Sequence, residues 1–331
     1  MCVLHRLAAL GVLLMGLVAH PVAADTLKYG LVNPPTHISV DMSKKFSEFL
    51  SARTGGKLAV EAFPAQQLVR SDNWFQGVRL GTVDFASGAI SLMEGLAPEI
   101  TILDAPYLFK DLDHARRVLD GDFTNKLNEK LTKSGGVRIL AWWLFGVRHL
   151  ATTIPVKSPA DLAGKKIRDV PSPVLLATLE GMGANPVPLD WGEVYTALQT
   201  GAVAGIVNPP DILFNAGLFE VLKYLALTGH TTMVQAIVMN ERKFQSYPPD
   251  VRAAIQESAK LAADWQWQTA IAQEKNFIEK LRSKGMTIVT EADGLNVSEF
   301  AAKAHPFVVN KYLSQWGKPV YDQITAAGKK N

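Results

Sequence analysis

Two arginines stand where the sequence is best suited to bind a ligand. Arg148 and Arg168 each lie beside a predicted strand end, and Pro171 and Pro173 stop the second strand soon after Arg168. Binding residues in α/β proteins commonly lie at strand ends and in the loops that follow. A guanidinium keeps its charge and presents a rigid fork of N–H donors, which suits capture of a carboxylate. We therefore predict an anion site. The alternative for Arg168 is a surface or interdomain arginine paired with a local aspartate such as Asp169, and the alternative for Arg148 is a solvated charge at a strand end.

The sequence has no pattern typical of a catalytic or metal centre. G-x-S-x-G, H-E-x-x-H and the glycine motifs that bind nucleotides are absent. Asp190 and Glu193 stand close together, but acidic residues in a first helical turn commonly act as caps. The histidines beyond the N-terminal segment lack metal-ligand spacing: His37, His114, His149, His230 and His305. We expect no enzyme activity, no metal and no cofactor.

The first residues and the composition indicate an exported protein. Arg6, the apolar residues 7–19 and the small residues 22–24 predict a signal peptide over 1–24, cleaved after about Ala24. The apolar run is too short to span a bilayer, so we expect a periplasmic protein without direct membrane insertion. The one cysteine, Cys2, lies inside this signal, which excludes thiol chemistry in the mature chain. The net charge of +3 is too evenly spread to predict nucleic-acid binding.

Strand and helix patterns alternate along the chain, which is typical of an α/β fold. Predicted strands at 27–32, 58–63 and 83–86 are separated by helical patterns, which favours a mostly parallel sheet. Further strands are predicted at 137–143, as a short strand around Arg148, and at 203–207. Residues 248–284 predict a helix of about 35 residues that bridges two domains, or two kinked helices.

The sequence resembles a known family over most of its length, from about Tyr29 to near the C-terminus. The segments GVRHLATT…PVKSPADLAGKKIRDVPSP and PLDWGEVYTALQTGAVAGIVNPP resemble the extracytoplasmic solute-binding proteins of TRAP transporters, the DctP-like family. The resemblance implies a bilobal periplasmic-binding-protein fold with a ligand cleft, interlobe crossing strands and a long bridging helix. Lobe 1 is expected at 25–145 plus about 234–273, and lobe 2 at 146–233 plus about 274–331.

The resemblance also implies roles for individual residues. Arg168, in the K-I-R strand, matches the arginine that pairs with the ligand carboxylate, and Arg148 matches an assisting arginine. Asn208, in V-N-P-P, matches an asparagine that hydrogen-bonds the ligand; the alternative is a plain turn residue before proline. Trp191 matches an aromatic residue that packs against the ligand, although a place in the core is equally consistent with its position.

Three further candidates are less specific. His37 follows the first strand, where the family places a ligand-contacting polar residue; the alternative is a solvent-facing residue at a helix start. Ser87 and Ser91 follow the 83–86 strand. This chain also departs from the family pattern, because Asp169 directly follows Arg168 and the apolar pair 206–207 replaces a common glutamine–glutamate.

The apolar residues Ile206 and Val207, together with Trp191, mildly favour a carboxylate with an apolar or aromatic body over a polyhydroxy acid, while dicarboxylates and 2-oxo or hydroxy acids stay open. The resemblance implies a receptor that binds a small organic carboxylate between two closing lobes. It also implies delivery to the small and large transmembrane subunits of a sodium-coupled TRAP transporter. Two alternatives are a binding protein for an ATP-driven importer or sensor, and an exported enzyme acting on an organic acid.

Overall fold

One mixed sheet runs through the protein, which the computed structural model describes from residue 24 to residue 328. Its strand order is β2-β1-β3-β8-β4-β7-β5-β6, and β9 pairs with β8. The predicted signal peptide lies almost wholly outside the described residues. The strands are β1 Asp25–Leu31, β2 Leu58–Phe63, β3 Phe85–Ser87, β4 Val137–Thr152, β5 Lys166–Asp169, β6 Asn185–Pro188, β7 Gly205–Asn208, β8 Tyr224–Asn240 and β9 Thr287–Val289.

Helices cover this sheet, and four of the described α-helices (α5, α7, α9 and α11 below) have proline in the first turn, where its missing N–H is not needed. No helix in the described range is both long enough and apolar enough to cross a membrane. The α-helices are α1 Ile38–Arg53, α2 Trp74–Leu80, α3 Leu112–Leu119, α4 Asp122–Lys130, α5 Pro173–Gly181, α6 Val194–Gln199, α7 Pro210–Asn215, α8 Glu241–Ser246, α9 Pro249–Ser283, α10 Val297–Trp316 and α11 Lys318–Ala326.

Two long antiparallel strands divide the sheet into two lobes. β4 and β8 pair along almost their whole length, from Val137 opposite Asn240 to Thr152 opposite Tyr224. β3 pairs with the last residues of β8, whereas β7 pairs with the last residues of β4. Because β4 and β8 are antiparallel, these pairings place β1–β3 at one end of the long strands and β5–β7 at the other. The predicted bilobal α/β fold with crossing strands is confirmed.

The prediction of a short separate strand around Arg148 is wrong, because β4 is continuous from Val137 to Thr152 and includes Arg148. Its pairing with β8 shifts register three times, including between Leu144 and Gly146. Gly146 has a φ of 141°, and a Cβ there would clash with Pro209, so glycine is needed where the strand bends. These irregularities let one strand pass through both lobes.

The helix α9 connects the two lobes without a break. It spans 35 residues and contacts α1, β4 and α7 before reaching β9. The single bridging helix is therefore confirmed, and the alternative of two kinked helices is wrong.

Apolar cores lie on both faces of the sheet. Successive residues of a strand point to opposite faces, and in β8 Val234, Ala236 and Val238 join one core while Met233 and Ile237 join another. In the second lobe, Ile206 and Val207 are likewise divided between two cores.

Candidate functional site

A cavity lies between the lobes, against the long strands. It holds about 480 Å³ of empty space, part of it open to solvent. Both lobes and the crossing strands contribute to its walls. The lining residues are Val32, Asn33, Ser71, Gly88 and Ala89 from the β1–β3 side, Phe145, Arg148, Met233 and Gln235 from β4 and β8, and Arg168, Val170, Trp191, Asn208 and Ile212 from the β5–β7 side.

Arg168 brings a positive charge to this cavity. The residue lies on β5 and is 2% exposed. Its Nε and Nη2 donate to the Leu189 carbonyl oxygen at 2.9 and 2.6 Å, and its Cζ lies 5.7 Å from the centroid of the Trp191 ring. Burial lowers the pKa of Arg168 to about 10, which leaves the guanidinium charged at neutral pH. No carboxylate of the described residues lies within salt-bridge distance of it, although the charges of Asp169 and Asp190 partly offset the effect of burial on its pKa. A buried cation therefore faces the cavity without a directly paired counter-ion.

Arg148 reaches the same cavity from β4, but its charge is compensated. The side chain is 1% exposed, and its Nη2 donates to Asp169 Oδ1 at 2.5 Å and to the Val207 carbonyl oxygen at 2.7 Å. Within the described part of the chain, Nε and Nη1 are buried without a hydrogen-bond partner. Asp169, considered from the sequence as a partner of Arg168, therefore pairs with Arg148 instead, and Arg148 is not the solvated charge that was its own alternative.

Asn208 and Trp191 line the cavity beside the two arginines. Asn208 ends β7 and lies opposite His149 of β4, and its side chain is nearly buried. Trp191 begins a short 3₁₀ turn whose N-cap, Asp190, accepts a hydrogen bond from Gly192 N. Four of the predicted residues are thus brought to one cavity, and their direct contact with a ligand stays a prediction.

The structure places His37, Ser87 and Ser91 outside the cavity lining. His37 caps α1 through its Nδ1, and its Nε2 lies 3.0 Å from Asp211 Oδ2. It is fully buried, so it is a helix-start residue that does not face solvent. Ser87 Oγ donates to the Ala236 carbonyl oxygen at 2.6 Å within the sheet. Contact of these three residues with a ligand also stays a prediction.

Asp104 is a buried carboxyl that the sequence pattern did not single out. It ends the 3₁₀ segment Pro98–Asp104 and is fully buried, and neither carboxylate oxygen makes a well-aligned hydrogen bond to the described residues. Burial raises the pKa of Asp104 to about 6, although the nearby Ser91 and the charge of Arg148 oppose this rise. The pKa of His230 is shifted in the opposite direction. Burial lowers it well below its ordinary value, the nearby charges of Arg148 and His149 lower it further, and the imidazole is therefore neutral.

The sequence also gave no prediction for three polar residues of the lining, Asn33, Ser71 and Gln235. Asn33 stands before two prolines at the end of β1, as Asn208 does at the end of β7, and this shared pattern could have identified it. Gln235 lies in the apolar strand β8, with its side-chain oxygen buried and without a partner among the described residues. Nothing in the local sequence marks it as a cavity residue.

Ser71 joins the two sides of the cavity. Its Oγ donates to Asp190 Oδ2 at 2.6 Å and accepts a hydrogen bond from Trp191 N at 3.2 Å. Partial burial raises the pKa of Asp190, but hydrogen bonds from Ser71 and Gly192 and the charge of Arg70 outweigh it and leave that pKa below its ordinary value. The carboxylate is therefore ionised at neutral pH and holds the β1–β3 side against the β5–β7 side.

Two α/β lobes around a cavity with a buried cation define a binding protein of the periplasmic class. Residues 29–314 match the family described as bacterial extracellular solute-binding protein, family 7, or DctP, and the chain belongs to this family. It is 34% identical over 272 residues to the 2,3-diketo-L-gulonate-binding periplasmic protein of Escherichia coli, covering 82% of this chain and 83% of that relative. The resemblance found in the sequence is confirmed.

Solved structures give the same picture. A TRAP periplasmic solute-binding protein from Shewanella oneidensis with bound succinate is 26% identical and superposes with a TM-score of 0.86, covering 93% of this chain and 100% of that one. A second, from Roseobacter denitrificans with bound L-galactonate, is 27% identical with a TM-score of 0.82, covering 92% and 98%.

Proposed function

We propose that this protein is a periplasmic receptor that binds a small organic carboxylate and delivers it to a TRAP-type sodium-coupled transporter. The observation that carries the proposal is Arg168, a buried guanidinium in the cavity without a carboxylate partner among the described residues. A buried charge of this kind is costly unless a counter-ion reaches it. A ligand carboxylate would supply that counter-ion.

The contacts of Arg168 define how the acid would bind. Nε and Nη2 already hold the Leu189 carbonyl oxygen, so the ligand carboxylate would approach the Nη1 end of the guanidinium. The ring of Trp191 would pack beside the acid, and the Asn208 amide would hydrogen-bond it, since both line the same cavity. Arg148 would assist through its unpartnered nitrogens.

Closure of the lobes would couple binding to recognition by the membrane subunits. We assign residues 25–145 plus about 234–273 to one lobe and 146–233 plus the chain from about 274 to the other. A ligand that touches both lobes favours the closed form to the extent that it binds that form better. Exclusion of water then strengthens the contact between Arg168 and the carboxylate. The closed receptor would dock on the small and large transmembrane subunits.

The relatives support an acid as ligand and a receptor rather than an enzyme. One is named for binding 2,3-diketo-L-gulonate and another, from Rhodobacter capsulatus, for binding C4-dicarboxylates. The two solved structures hold succinate and L-galactonate. All are organic acids. We further assign the protein to the periplasm, after cleavage at about Ala24, and propose no catalytic role for the cavity.

A thermal-shift screen tests the proposal. The exported chain is unfolded and refolded to remove any bound ligand, then assayed with mono-, di-, keto-, hydroxy-, aromatic and sugar acids. A ligand that binds only the folded state raises its apparent stability, so one class of acids should raise the Tm, and the matching primary amides should not. Absence of a shift with every acid would overturn the proposal, and turnover of a bound acid would favour the enzyme alternative.

A further inference from the structure

The two arginines of the cavity differ in what balances their charge. The guanidinium of Arg148 is in direct contact with the Asp169 carboxylate, whereas that of Arg168 donates to a neutral carbonyl oxygen. Asp169 is itself 2% exposed, so solvent does not share in this ion pair. Among the described residues, the cavity therefore has two cationic side chains, and Arg168 is the one with no carboxylate within salt-bridge distance.

We propose that Asp169 selects monocarboxylates against dicarboxylates by cancelling the charge of Arg148. This inference rests on the proposed function, because it concerns which acids the same cavity accepts. One carboxylate of the ligand meets Arg168. A second carboxylate of the ligand would meet an Arg148 whose charge is already balanced by Asp169.

Two hydrogen bonds and burial hold the Asp169 carboxylate beside Arg148. Its Oδ1 accepts from both Arg148 Nη2, at 2.5 Å, and Val170 N, at 2.7 Å. An anionic group brought close to Arg148 would approach this carboxylate and also the nearby Asp104, whose carboxyl feels the charge of Arg148. Like charges in a buried site repel strongly, and an unpaired buried carboxylate loses its hydration without compensation.

The rest of the cavity wall suits an uncharged ligand body. Val32, Phe145, Ile212 and Met233 supply apolar surface, while Asn33 and Gln235 supply neutral amides. Amides can hydrogen-bond a hydroxyl or keto group, but they do not balance a second negative charge. The ligand class is thus an acid with one carboxylate and a body that is apolar or carries neutral polar groups.

Matched pairs of acids test this selection, because each pair has nearly one shape and differs in charge. The pairs are 4-methylpentanoate with succinate, 5-methylhexanoate with glutarate, and L-galactonate with galactarate. Isothermal titration with the refolded wild-type chain should show the monoacid binding at least about tenfold more tightly in each pair that binds. Equal or tighter binding of the diacid would overturn the inference and leave the receptor proposal intact. Absence of binding by all six acids and by every acid of the screen would overturn both.

The Asp169→Asn variant tests the residue itself. An asparagine oxygen can still accept from Val170 N, but the variant frees the charge of Arg148. The preference for the monoacid should fall by at least about tenfold and can reverse. An unchanged preference in folded protein, checked by circular dichroism, would overturn the role of Asp169.

Two further variants keep the test decisive. In the double variant Arg148→Gln/Asp169→Asn the pair is neutral. The gain in diacid binding expected for Asp169→Asn alone should therefore disappear, and a gain that persists in the double variant would contradict the role given to Arg148. In Asp113→Asn an exposed carboxylate is lost elsewhere, so the preference should stay that of the wild type. If Asp169→Asn does not fold, the wild-type preference and the neutral pair still decide the outcome.

Discussion

Arg168 and Arg148 make an instructive comparison, since both are almost completely buried at the edge of one cavity. Arg168 has a backbone carbonyl oxygen as its partner, and Arg148 has a carboxylate. Burial alone therefore does not distinguish a binding arginine from a structural one. The distinction lies in whether the buried charge is already balanced within the chain, because an unbalanced cation gains most when an anion arrives.

The largest effect is expected from Arg168→Ala. Truncating one side of a buried ion pair typically costs about 2–5 kcal/mol, which corresponds to a loss of roughly 30-fold to several-thousandfold in affinity for the bound acid. Isothermal titration measures this loss, and Arg79→Ala, at an exposed site, is the control. Near-native affinity in Arg168→Ala would show that the unbalanced charge is not the anion site.

Much of this comparison could be predicted from the sequence. The sequence predicted both arginines as binding residues, and both line the cavity. Arg168 lies near the end of β5, as predicted, whereas Arg148 lies within β4 and not at a strand end. The partner of Asp169 could not be predicted. Arg148 on β4 and Asp169 on β5 are separated in the sheet by β7, so their contact depends on the strand order, which local patterns do not determine.

Two other interpretations of the sequence show the same limit. From the sequence, the apolar residues Ile206 and Val207 favour a ligand with an apolar body, but their side chains lie in the cores. Only the Val207 carbonyl oxygen reaches Arg148. Ser71 could not be predicted as a cavity residue, because its hydrogen-bond partners Asp190 and Trp191 lie more than a hundred positions away in the sequence. Tertiary contacts of this kind leave no periodic trace in the sequence.

Asp104→Asn tests the charge balance around Arg148, because Asp104 is a second buried carboxyl that feels the charge of that arginine. The pKa of Asp104 is raised from 3.8 to about 6 by burial, so folding disfavours the ionised carboxylate. The penalty is small below pH 3.8, grows as pH rises towards about 6, and is complete above it, where it amounts to about 3 kcal/mol. The variant should be more stable than wild type at pH 8, and its advantage should shrink at pH 4.5.

Urea unfolding at the two pH values measures this difference, and Glu61→Gln, at an exposed position of β2, should show no such change. An advantage of Asp104→Asn that is the same at pH 4.5 and pH 8 would show that it does not come from the carboxylate charge.

Arg168→Lys should have a smaller effect than Arg168→Ala. Lysine keeps a positive charge, but a single ammonium cannot reproduce the planar fork that holds the Leu189 carbonyl oxygen while presenting Nη1 to the cavity. Loss of one charged hydrogen bond costs about 1.5–3 kcal/mol, so the affinity should fall by roughly 10- to 150-fold. Titration with the same acid measures it, and equal affinity would show that charge alone is recognised.

Ser71→Ala should give the smallest effect, because Ser71 acts on the lobes and not on the charge of the ligand. Its hydroxyl links Asp190 and Trp191 on the β5–β7 side to the loop that follows β2. Removal of this link costs about 1 kcal/mol, so we expect roughly a fivefold loss of affinity. Ser134→Ala, at an exposed helical site away from the cavity, is the matched control.

The ligand dependence of Ser71→Ala separates closure from direct recognition. If Ser71 only holds the lobes together, its loss should weaken every acid that binds by the same factor, whether that acid has one or two carboxylates. Arg168 and Asp169, by contrast, should change the factor from one acid to another, since they act through charge. A loss of affinity in Ser71→Ala that is confined to one acid would mean that the hydroxyl itself contacts that ligand. Ser71 would then act in ligand recognition and not in closure of the lobes.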